Sequence, residues 1–273
     1  MADAGKLFVV ATPIGNLGDL SPRARSTLES VSAIFCEDTR VTGKLAARFG
    51  LTAPRYSCHE HNEASRIGEL LSRLGRGEDV AYVSDAGTPA ISDPGRRLVD
   101  AAARSGFEVR IVPGPSAAVA ALAVSGMAAV PHLFLGFPPA RQGERRSFFQ
   151  PLRDRAETLV FFEAPHRLAA SLADAAEVLG ERSAAVGREL TKLHEEVIRG
   201  TLGALAARLA ARPVRGECVV VVEGAPAESS RPAATGDQID AELATMETPG
   251  LSARERARAV AKKLGVPSRE VYA

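Results

Sequence analysis

Two loops of this chain combine the residue types that bind small charged ligands. Residues 84–95 (SDAGTPAISDPG) place two aspartates, two glycines and two prolines within twelve positions, directly after an apolar run. Residues 112–118 (VPGPSAA) follow a second apolar run and lead into a stretch of helical composition. Glycine lets a ligand approach the backbone closely, and proline limits the entropy of the loop. Loops that only connect a strand to a helix are usually shorter and contain fewer glycines, prolines and aspartates, so these two loops predict a binding site.

The loop after the first apolar run excludes two familiar phosphate-binding patterns. Its sequence, ATPIGNLGDL, does not place Gly15 and Gly18 in a G-x-G-x-x-G dinucleotide fingerprint. It also lacks the Gly-Lys-Ser/Thr ending of a nucleoside-triphosphate loop. These absences disfavour a nicotinamide or nucleoside-triphosphate enzyme, and a tight strand-to-helix turn stays open as the alternative for this loop.

These loops are positioned by short apolar runs that alternate with longer helical stretches, which is typical of an α/β fold. The predicted strands of the first half cover residues 7–11, 33–36, 80–84 and 109–112. A helix is predicted over residues 65–74, and another begins at Asp93-Pro94 and ends at Gly106. Open α/β sheets bind ligands at the carboxyl ends of their strands, where the candidate loops lie. We therefore assign residues 1–125 to an N-terminal α/β domain.

The same alternation restarts near residue 126 and predicts a second α/β domain over residues 126–225. Its predicted strands and helices cover residues 133–137, 159–163, 184–189, 196–199 and 218–223, and residues 145–155, 166–179 and 202–212. Residues 226–236 are small, polar and proline-containing, which predicts a linker. Residues 237–273 predict a small helical tail, with helices over 238–246 and 253–264 and a third near 268, similar to a helix-turn-helix. Because the sequence stops soon after that third helix begins, we expect this tail to be incomplete.

Composition excludes several other classes of protein. The 34 basic and 33 acidic residues give a formal charge of +1, and 45% of residues are hydrophobic, which excludes a disordered chain and a polybasic nucleic-acid coat. Three cysteines without paired spacing disfavour disulfides and cysteine-based zinc sites, and His59 and His61 lack a matching third ligand, so no metal site is predicted. The N-terminal apolar run is too short for a signal peptide or a membrane span. The sequence therefore predicts a soluble, reduced, cytoplasmic protein.

Six motifs then occur in a fixed order. They are LFVVATPIGNLGDLSPRA, CEDTR, SDAGTPAISDPG, VPGPSA, FEAPHR and RELTKLHEE. Over about residues 6–224 the chain resembles the ribosomal RNA small subunit methyltransferase I family of the tetrapyrrole methylase-like superfamily. The resemblance implies S-adenosylmethionine-dependent 2′-O-methylation of a decoding-site cytidine in 16S ribosomal RNA, within the 30S subunit. It also implies two α/β domains of tetrapyrrole methylase type with the cofactor in the cleft between them, and a homodimer.

By this resemblance a set of loop residues surrounds the cofactor: Pro13, Ser84, Asp85, Gly87, Thr88, Pro89, Ser116, Ala117, Phe162 and Leu190. Asp85 is a candidate acceptor for a cofactor amine or hydroxyl, and an Asx-turn is the alternative for its side chain. Ser116 could instead cap its helix. Phe162 could flank the adenine or pack in the core.

The catalytic candidates come from RELTK and APHR. Methyl transfer from a sulfonium needs no metal and no covalent enzyme intermediate, so alignment of the reactants is the main contribution of the enzyme. A ribose hydroxyl is weakly acidic, so a general base or a nearby cation would help. Glu189 and Lys192 are the first candidates, and His166-Arg167 are the second. Alternatively, Glu189 forms a structural ion pair with Arg188, and His166 only begins its helix.

RNA contacts are predicted from two positive segments and from individual arginines. Residues 141–155 hold five arginines and two acidic residues, a net of +3, and residues 251–273 hold six basic and two acidic residues, a net of +4. Such segments supply phosphate contacts rather than sequence choice, although an exposed amphipathic helix would carry similar charge. The predicted RNA-binding side chains are Arg40, Arg145, Arg146 and Arg167.

Two other functions stay open from the sequence. A methylase of a corrin or porphyrin precursor would share the fold, but the first loop reads TPIGN rather than G-x-G-P-G. A non-catalytic RNA-binding assembly factor would lack cofactor binding altogether. Titration with the cofactor separates that module from both enzymes.

Overall fold

The computed structural model describes residues 4–59, 62–211, 214–226, 236–245, 252–264 and Val271. Two five-stranded sheets organise the chain, one in each predicted half, which confirms the predicted α/β class. The first sheet is parallel and has the order β3-β2-β4-β1-β5. Its strands are β1 Leu7–Val10, β2 Ala33–Cys36, β3 Arg55–Ser57, β4 Val80–Val83 and β5 Val109–Val112.

Helices cover both faces of the first sheet: α1 Pro22–Ser30, α2 Thr39–Phe49, α3 Glu63–Gly75 and α4 Arg96–Arg104. Every residue of β2 and β4 is buried, because the side chains of alternate residues enter separate cores on the two faces. Ile34 lies in a core with residues of α1 and α2. Its neighbour Phe35 lies in the opposite core with residues of α3 and α4. The continuous apolar runs in the sequence follow from this two-sided burial.

The second sheet mixes strand directions in the order β6-β7-β10-β8-β9. Its strands are β6 His132–Phe134, β7 Thr158–Glu163, β8 Ser183–Arg188, β9 Glu196–Thr201 and β10 Cys218–Val222. Only β6 and β7 pair in parallel among the described ladders of this sheet. One face carries the largest apolar core, which includes residues of α6 Gln142–Phe149, α7 Leu168–Leu179 and α8 Leu202–Ala210.

The other face of the second sheet is covered by a helix that precedes the sheet in the chain. Helix α5 Ala117–Ser125 contacts β7, β8, β9 and β10. Ala121 and Leu122 are buried there against Val219 and Val221. The chain therefore crosses between the halves at the start of α5, and the boundary between residues 125 and 126 stays a prediction based on chain order.

Among the described residues, most predicted elements occur within a few residues of their expected positions, and the exceptions are two elements that were not predicted and one helix that is shifted. Strand β3 and helix α2 were not predicted. Strand β3 has only three residues, and two of them are the polar Arg55 and Ser57, so it lacks the apolar run of the other strands. The helix expected over residues 145–155 instead runs from Gln142 to Phe149, because Pro151 has no N–H to continue the helical hydrogen bonds. The helix expected near residue 268 lies outside the described residues.

Two helices follow the predicted linker, α9 Gly236–Thr245 and α10 Ala253–Leu264. Ile239, Ala257, Val260 and Val271 form a small apolar cluster with one another. No helix of the described residues is long and apolar enough to cross a membrane. Cys36, Cys58 and Cys218 are free and buried.

Candidate functional site

A cavity of about 360 Å³ lies where loops of the two halves meet. From the first half it is lined by the loop after β4 and by the start of α5. From the second half it is lined by residues 162–165 at the end of β7 and by residues 216–219 at the start of β10. The cavity thus lies at the carboxyl edge of the first sheet, where the sequence predicts a binding site.

The structure brings most of the predicted cofactor residues to this cavity or to its immediate neighbour. Six of the predicted residues line the cavity: Asp85, Gly87, Thr88, Ser116, Ala117 and Phe162. Pro13 and Ser84 line an adjoining cavity. Leu190 is buried in the apolar cluster beneath the site, together with Ile14 and Val219. Pro89 is also buried, but it is not a lining residue of either cavity.

Backbone contacts join the three loops that form the floor of the site. The Thr12 N–H donates to the Gly87 carbonyl at 2.9 Å, and the Gly87 N–H donates back to the Thr12 carbonyl at 3.1 Å. Gly87 adopts φ +79°, a conformation that favours glycine. The Thr88 hydroxyl donates to the Pro115 carbonyl at 3.2 Å. The glycines and threonines of these loops therefore fix the shape of the cavity.

Asp85 lines both cavities and also connects two loops. Its Oδ1 accepts the N–H of Asp38 at 3.0 Å, which ties the loop after β4 to the loop after β2. Burial raises the pKa of Asp85, and the charge of Asp38 adds to that effect. The side chain faces the candidate site while it holds the loop, so ligand contact and loop support are compatible roles.

Four carboxylates that were not predicted from the sequence also line the larger cavity: Glu37, Asp93, Glu163 and Glu217. Burial raises the pKa of Asp93 to about 6, and the charge of Glu37 acts in the same direction. Burial also raises the pKa of Glu37, with Asp85 as the main charged contributor. Glu37 lies in the motif CEDTR and Asp93 in SDAGTPAISDPG, so both carboxylates belong to motifs that the sequence had singled out. The spacing of these motifs along the chain could not show that the two side chains face the same cavity.

Glu163 forms part of the opposite wall and is almost completely buried. Its Oε1 pairs with Arg167 Nη2 at 2.6 Å and accepts the N–H of Ala164 at 2.8 Å. Its Oε2 is buried without a hydrogen-bond partner. Arg167, a predicted RNA contact, is therefore largely engaged by this carboxylate, whereas His166 beside it is exposed.

The adjoining cavity of about 280 Å³ shares Ile14, Asp85, Ala86 and Glu217 with the first. Lys44 and Lys192 line it. Lys192 Nζ donates to Glu189 Oε1 at 2.9 Å and to Glu217 Oε2 at 3.2 Å. A Cβ at position 15 would collide with the aliphatic stem of Lys192, so Gly15 lets this lysine cross to the first half.

The two predicted catalytic residues form one ion pair with a defined protonation state. The hydrogen bond from Lys192 is the main cause that lowers the pKa of Glu189. Burial works against the charged form of Lys192, but Glu189 and Glu217 outweigh it and raise the pKa of the lysine. Glu189 and Thr191 have φ of +50° and +66°, a strained conformation that persists where surrounding contacts impose it. Lys192 is thus held as an ammonium, and Glu189 is a carboxylate of reduced basicity.

The structure separates the predicted RNA-binding arginines. Arg40 is exposed at the start of α2 and pairs with Asp38 at 2.6 Å. Arg146 is partly exposed and pairs with Asp174 and Glu177. The prediction for Arg145 does not fit its position, because its side chain is buried against α7, where Nε donates to Asp174 Oδ2 at 2.8 Å.

No histidine in the described part of the chain lines either of the two cavities. His59 lines a third cavity with Glu37 and Asp93, and His61 lies outside the described residues. No group of three or more histidine, cysteine or acidic side chains in the described ranges is arranged to hold a metal ion.

Comparison with known proteins identifies relatives of the whole chain. The family model for tetrapyrrole (corrin/porphyrin) methylases matches residues 6–206. The ribosomal RNA small subunit methyltransferase I of Synechocystis is 44% identical over 269 residues, which cover 98% of this chain and 96% of that protein. The protein of the same name from Bacillus subtilis is 40% identical and covers 99% and 94%.

Solved structures support the same fold at lower sequence identity. The methyltransferase CobJ superposes with a TM-score of 0.63 at 20% identity, covering 81% of this chain and 95% of that one. The uroporphyrin-III C-methyl transferase of Thermus thermophilus, complexed with S-adenyl homocysteine, has a TM-score of 0.55 at 20% identity and covers 80% and 97%.

Proposed function

This chain belongs to the ribosomal RNA small subunit methyltransferase I family of tetrapyrrole methylases, and we propose that it methylates the 2′-hydroxyl of a decoding-site cytidine in 16S ribosomal RNA, using S-adenosylmethionine. One observation carries the proposal: two cavities meet at Ile14, Asp85, Ala86 and Glu217. One is a mainly apolar and acidic chamber, and the other presents a lysine ammonium. A cofactor and a nucleotide hydroxyl can therefore approach each other from opposite sides of that junction.

The residues of the larger cavity fit S-adenosylmethionine. Ile14, Phe162 and Val219 supply apolar surface for the adenine, and Ser116 offers a polar contact. The carboxylates suit the positive charges of the cofactor, and the unpartnered Oε2 of Glu163 is an acceptor in need of a donor. The bound cofactor supplies an electrophilic methyl group on a sulfonium.

Lys192 is our candidate for the catalytic group in the smaller cavity. A positive ammonium beside the ribose hydroxyl stabilises the negative charge that develops on oxygen. Glu189 and Glu217 hold the ammonium in place through their two hydrogen bonds. The weakened basicity of Glu189 favours a positioning role for this carboxylate rather than proton abstraction. Alignment of oxygen, methyl carbon and sulfur by the two halves supplies the rest.

We propose that RNA reaches the site across α2. Lys44 lines the smaller cavity, and Arg40 lies exposed one turn earlier on the same helix. Arg146 can add a phosphate contact, whereas Arg145 is omitted because it is buried. With a substrate inside the 30S subunit, the enzyme would act in the cytoplasm.

We also propose a homodimer formed through an apolar surface around α5. Ile111 on the edge strand β5, Val119 and Val124 on α5, and Val130 beyond it are all exposed, Val130 by 84%. Exposed apolar residues gathered around one helix favour a protein contact, and a second copy offers the same residues for a symmetric interface. Sedimentation equilibrium that returns a monomer at micromolar concentration would contradict this proposal.

Binding and methyl-transfer measurements test the enzymatic proposal. Calorimetry with S-adenosylmethionine in excess chelator should show binding, because alignment rather than a metal drives the transfer. Labelled methyl groups should enter 30S subunits, or free 16S RNA, and not a corrin precursor. A strict metal requirement, or transfer only to the corrin precursor, would overturn the assignment; absent cofactor binding would favour the RNA-binding module.

The tail is expected to contribute to RNA docking and not to the cofactor site. Its buried apolar residues cluster among themselves, and residues 251–273 carry six basic and two acidic side chains. Truncation after Ala225 should leave cofactor affinity within about twofold. The Michaelis constant for the ribosomal substrate should rise, and the salt dependence of RNA binding should fall, because fewer counterions are released. An unchanged salt slope, or a truncated chain that cannot fold or bind cofactor, would refute this role.

A further inference from the structure

The larger cavity has an unusual distribution of charge. Five carboxylates line it, and no lysine, arginine or histidine is among its described lining residues. They come from separate parts of the chain, namely Glu37 after β2, Asp85 after β4, Asp93 before α4, Glu163 in β7 and Glu217 before β10. The adjoining cavity differs, since Lys44 and Lys192 balance its Asp85 and Glu217. Of these two cavities, the one proposed for the cofactor therefore has the excess of carboxylates.

Mutual repulsion makes this arrangement costly for the empty protein. Burial is the main cause that raises the pKa values of both Glu37 and Asp93; the charge of Asp85 raises both further, and the charge of Glu37 raises that of Asp93. Hydrogen bonding with the Asp85 backbone and the Ser84 side chain lowers the pKa values of Glu37 and Asp93, respectively, but burial and the neighbouring carboxylates outweigh it. A positive charge placed among them would relieve the repulsion.

Glu163 points independently to a ligand. It belongs to the second sheet, it is 2% exposed, and Arg167 engages only its Oε1. A buried carboxylate oxygen without a donor is rare in folded proteins and costs free energy until a partner arrives. Because this oxygen belongs to a side chain lining the same cavity, the missing partner is expected to be a group of the ligand.

We propose that Glu37 and Asp93, which together form an acidic wall of this cavity, select the ligand by charge: they favour the sulfonium cofactor over its neutral thioether product and so promote product release. This inference rests on the proposed function. During transfer the bond between sulfur and the methyl carbon breaks, a bond between that carbon and the ribose oxygen forms, and the hydroxyl proton leaves to water. The sulfur takes the electron pair and loses its positive charge, so the attraction to the wall ends with the reaction.

The charge selectivity should depend on pH in a defined direction. Protonation of Glu37 and Asp93 at low pH removes the attraction for the sulfonium, whereas the neutral thioether is unaffected by it. Other titratable or charged groups face this wall from the neighbouring elements: Asp38, Arg40, His59, Glu63, Asp85, Arg96, Arg97, Glu163, Arg167 and Glu217. S-adenosylmethionine and S-adenosylhomocysteine carry the same amino-acid group, so the ratio of their affinities isolates the charge on sulfur from these other titrations.

Calorimetry on the full chain with both ligands tests the inference. The ratio of the two affinities should be about tenfold higher at about pH 8 than at about pH 5. Asp93→Asn and Glu37→Gln should each lower the ratio at the higher pH by about threefold, whereas Asp100→Asn on the surface of α4 should not. Melting curves identify any variant that fails to fold, and the pH series on the unaltered chain needs no variant.

The outcomes separate this inference from the proposed function. If both ligands bind with a ratio that neither pH nor the two substitutions change, charge selection is overturned and the methyltransferase assignment stands. If neither ligand binds at any pH, both are overturned.

Discussion

Replacement of Lys192 by methionine should lower the rate of methyl transfer by about 10² to 10³, the range found when one stabilising donor is removed from an active site. Methionine keeps the apolar stem that packs against Gly15 and removes only the ammonium. Cofactor affinity should stay within about twofold, because Lys192 lines the smaller cavity and not the larger one. Single-turnover kinetics with saturating RNA would measure the chemical step directly.

Two further variants distinguish catalysis from RNA binding. Lys44→Met removes the other ammonium of the same cavity, and we expect a higher Michaelis constant with little change in the chemical step. Glu189→Gln should have an intermediate effect, since Glu217 still accepts a hydrogen bond from Lys192. A normal single-turnover rate for Lys192→Met would exclude this lysine from the chemistry and return attention to Glu189.

Arg145→Ala should destabilise the protein by about 3 kcal/mol or more, because removal of one partner leaves a buried charge without full compensation. The exposed fraction of the side chain is 5% for Arg145 and 2% for Asp174. Arg146 and Gln142 still reach Asp174, which keeps the expected loss at the lower end of the range for buried ion pairs. Urea denaturation measures the change, and Arg141→Ala, at an exposed ion pair on the same segment, is the control.

The same ion pair gives a pH dependence of stability. Burial alone would raise the pKa of Asp174, but hydrogen bonds from Arg146 and Arg145 outweigh it and lower the pKa. A carboxylate with a depressed pKa in the folded state adds stability above about pH 4 that is lost as the pH falls through the folded value.

RNA affinity of the folded Arg145→Ala protein should be unchanged. A stable variant that binds RNA poorly would instead restore the surface role predicted from the sequence.

The loops of the site could be predicted because their signals are local. Residues 84–88 follow the buried strand β4, and residues 116–117 follow the edge strand β5. The rule that ligands bind at the carboxyl ends of parallel strands needs no tertiary information. The apolar runs of β2 and β4 were recognisable for the same reason, since burial on both faces leaves a continuous apolar segment. The six motifs in their order indicated the family, and the relatives confirm that membership.

The sequence by itself thus determined the two α/β halves, the loops that line the candidate site and the family of this protein. Only the tertiary structure decided which charges face each other. Arg145 contributes to a positive segment in the sequence, yet Asp174, 29 positions away, draws it into the core. Glu37 and Asp93 face the same cavity as Glu163 of the other sheet. Such pairings depend on how helices and sheets dock, and a charged residue has the same local pattern whether its partner is a solvent molecule or a distant side chain.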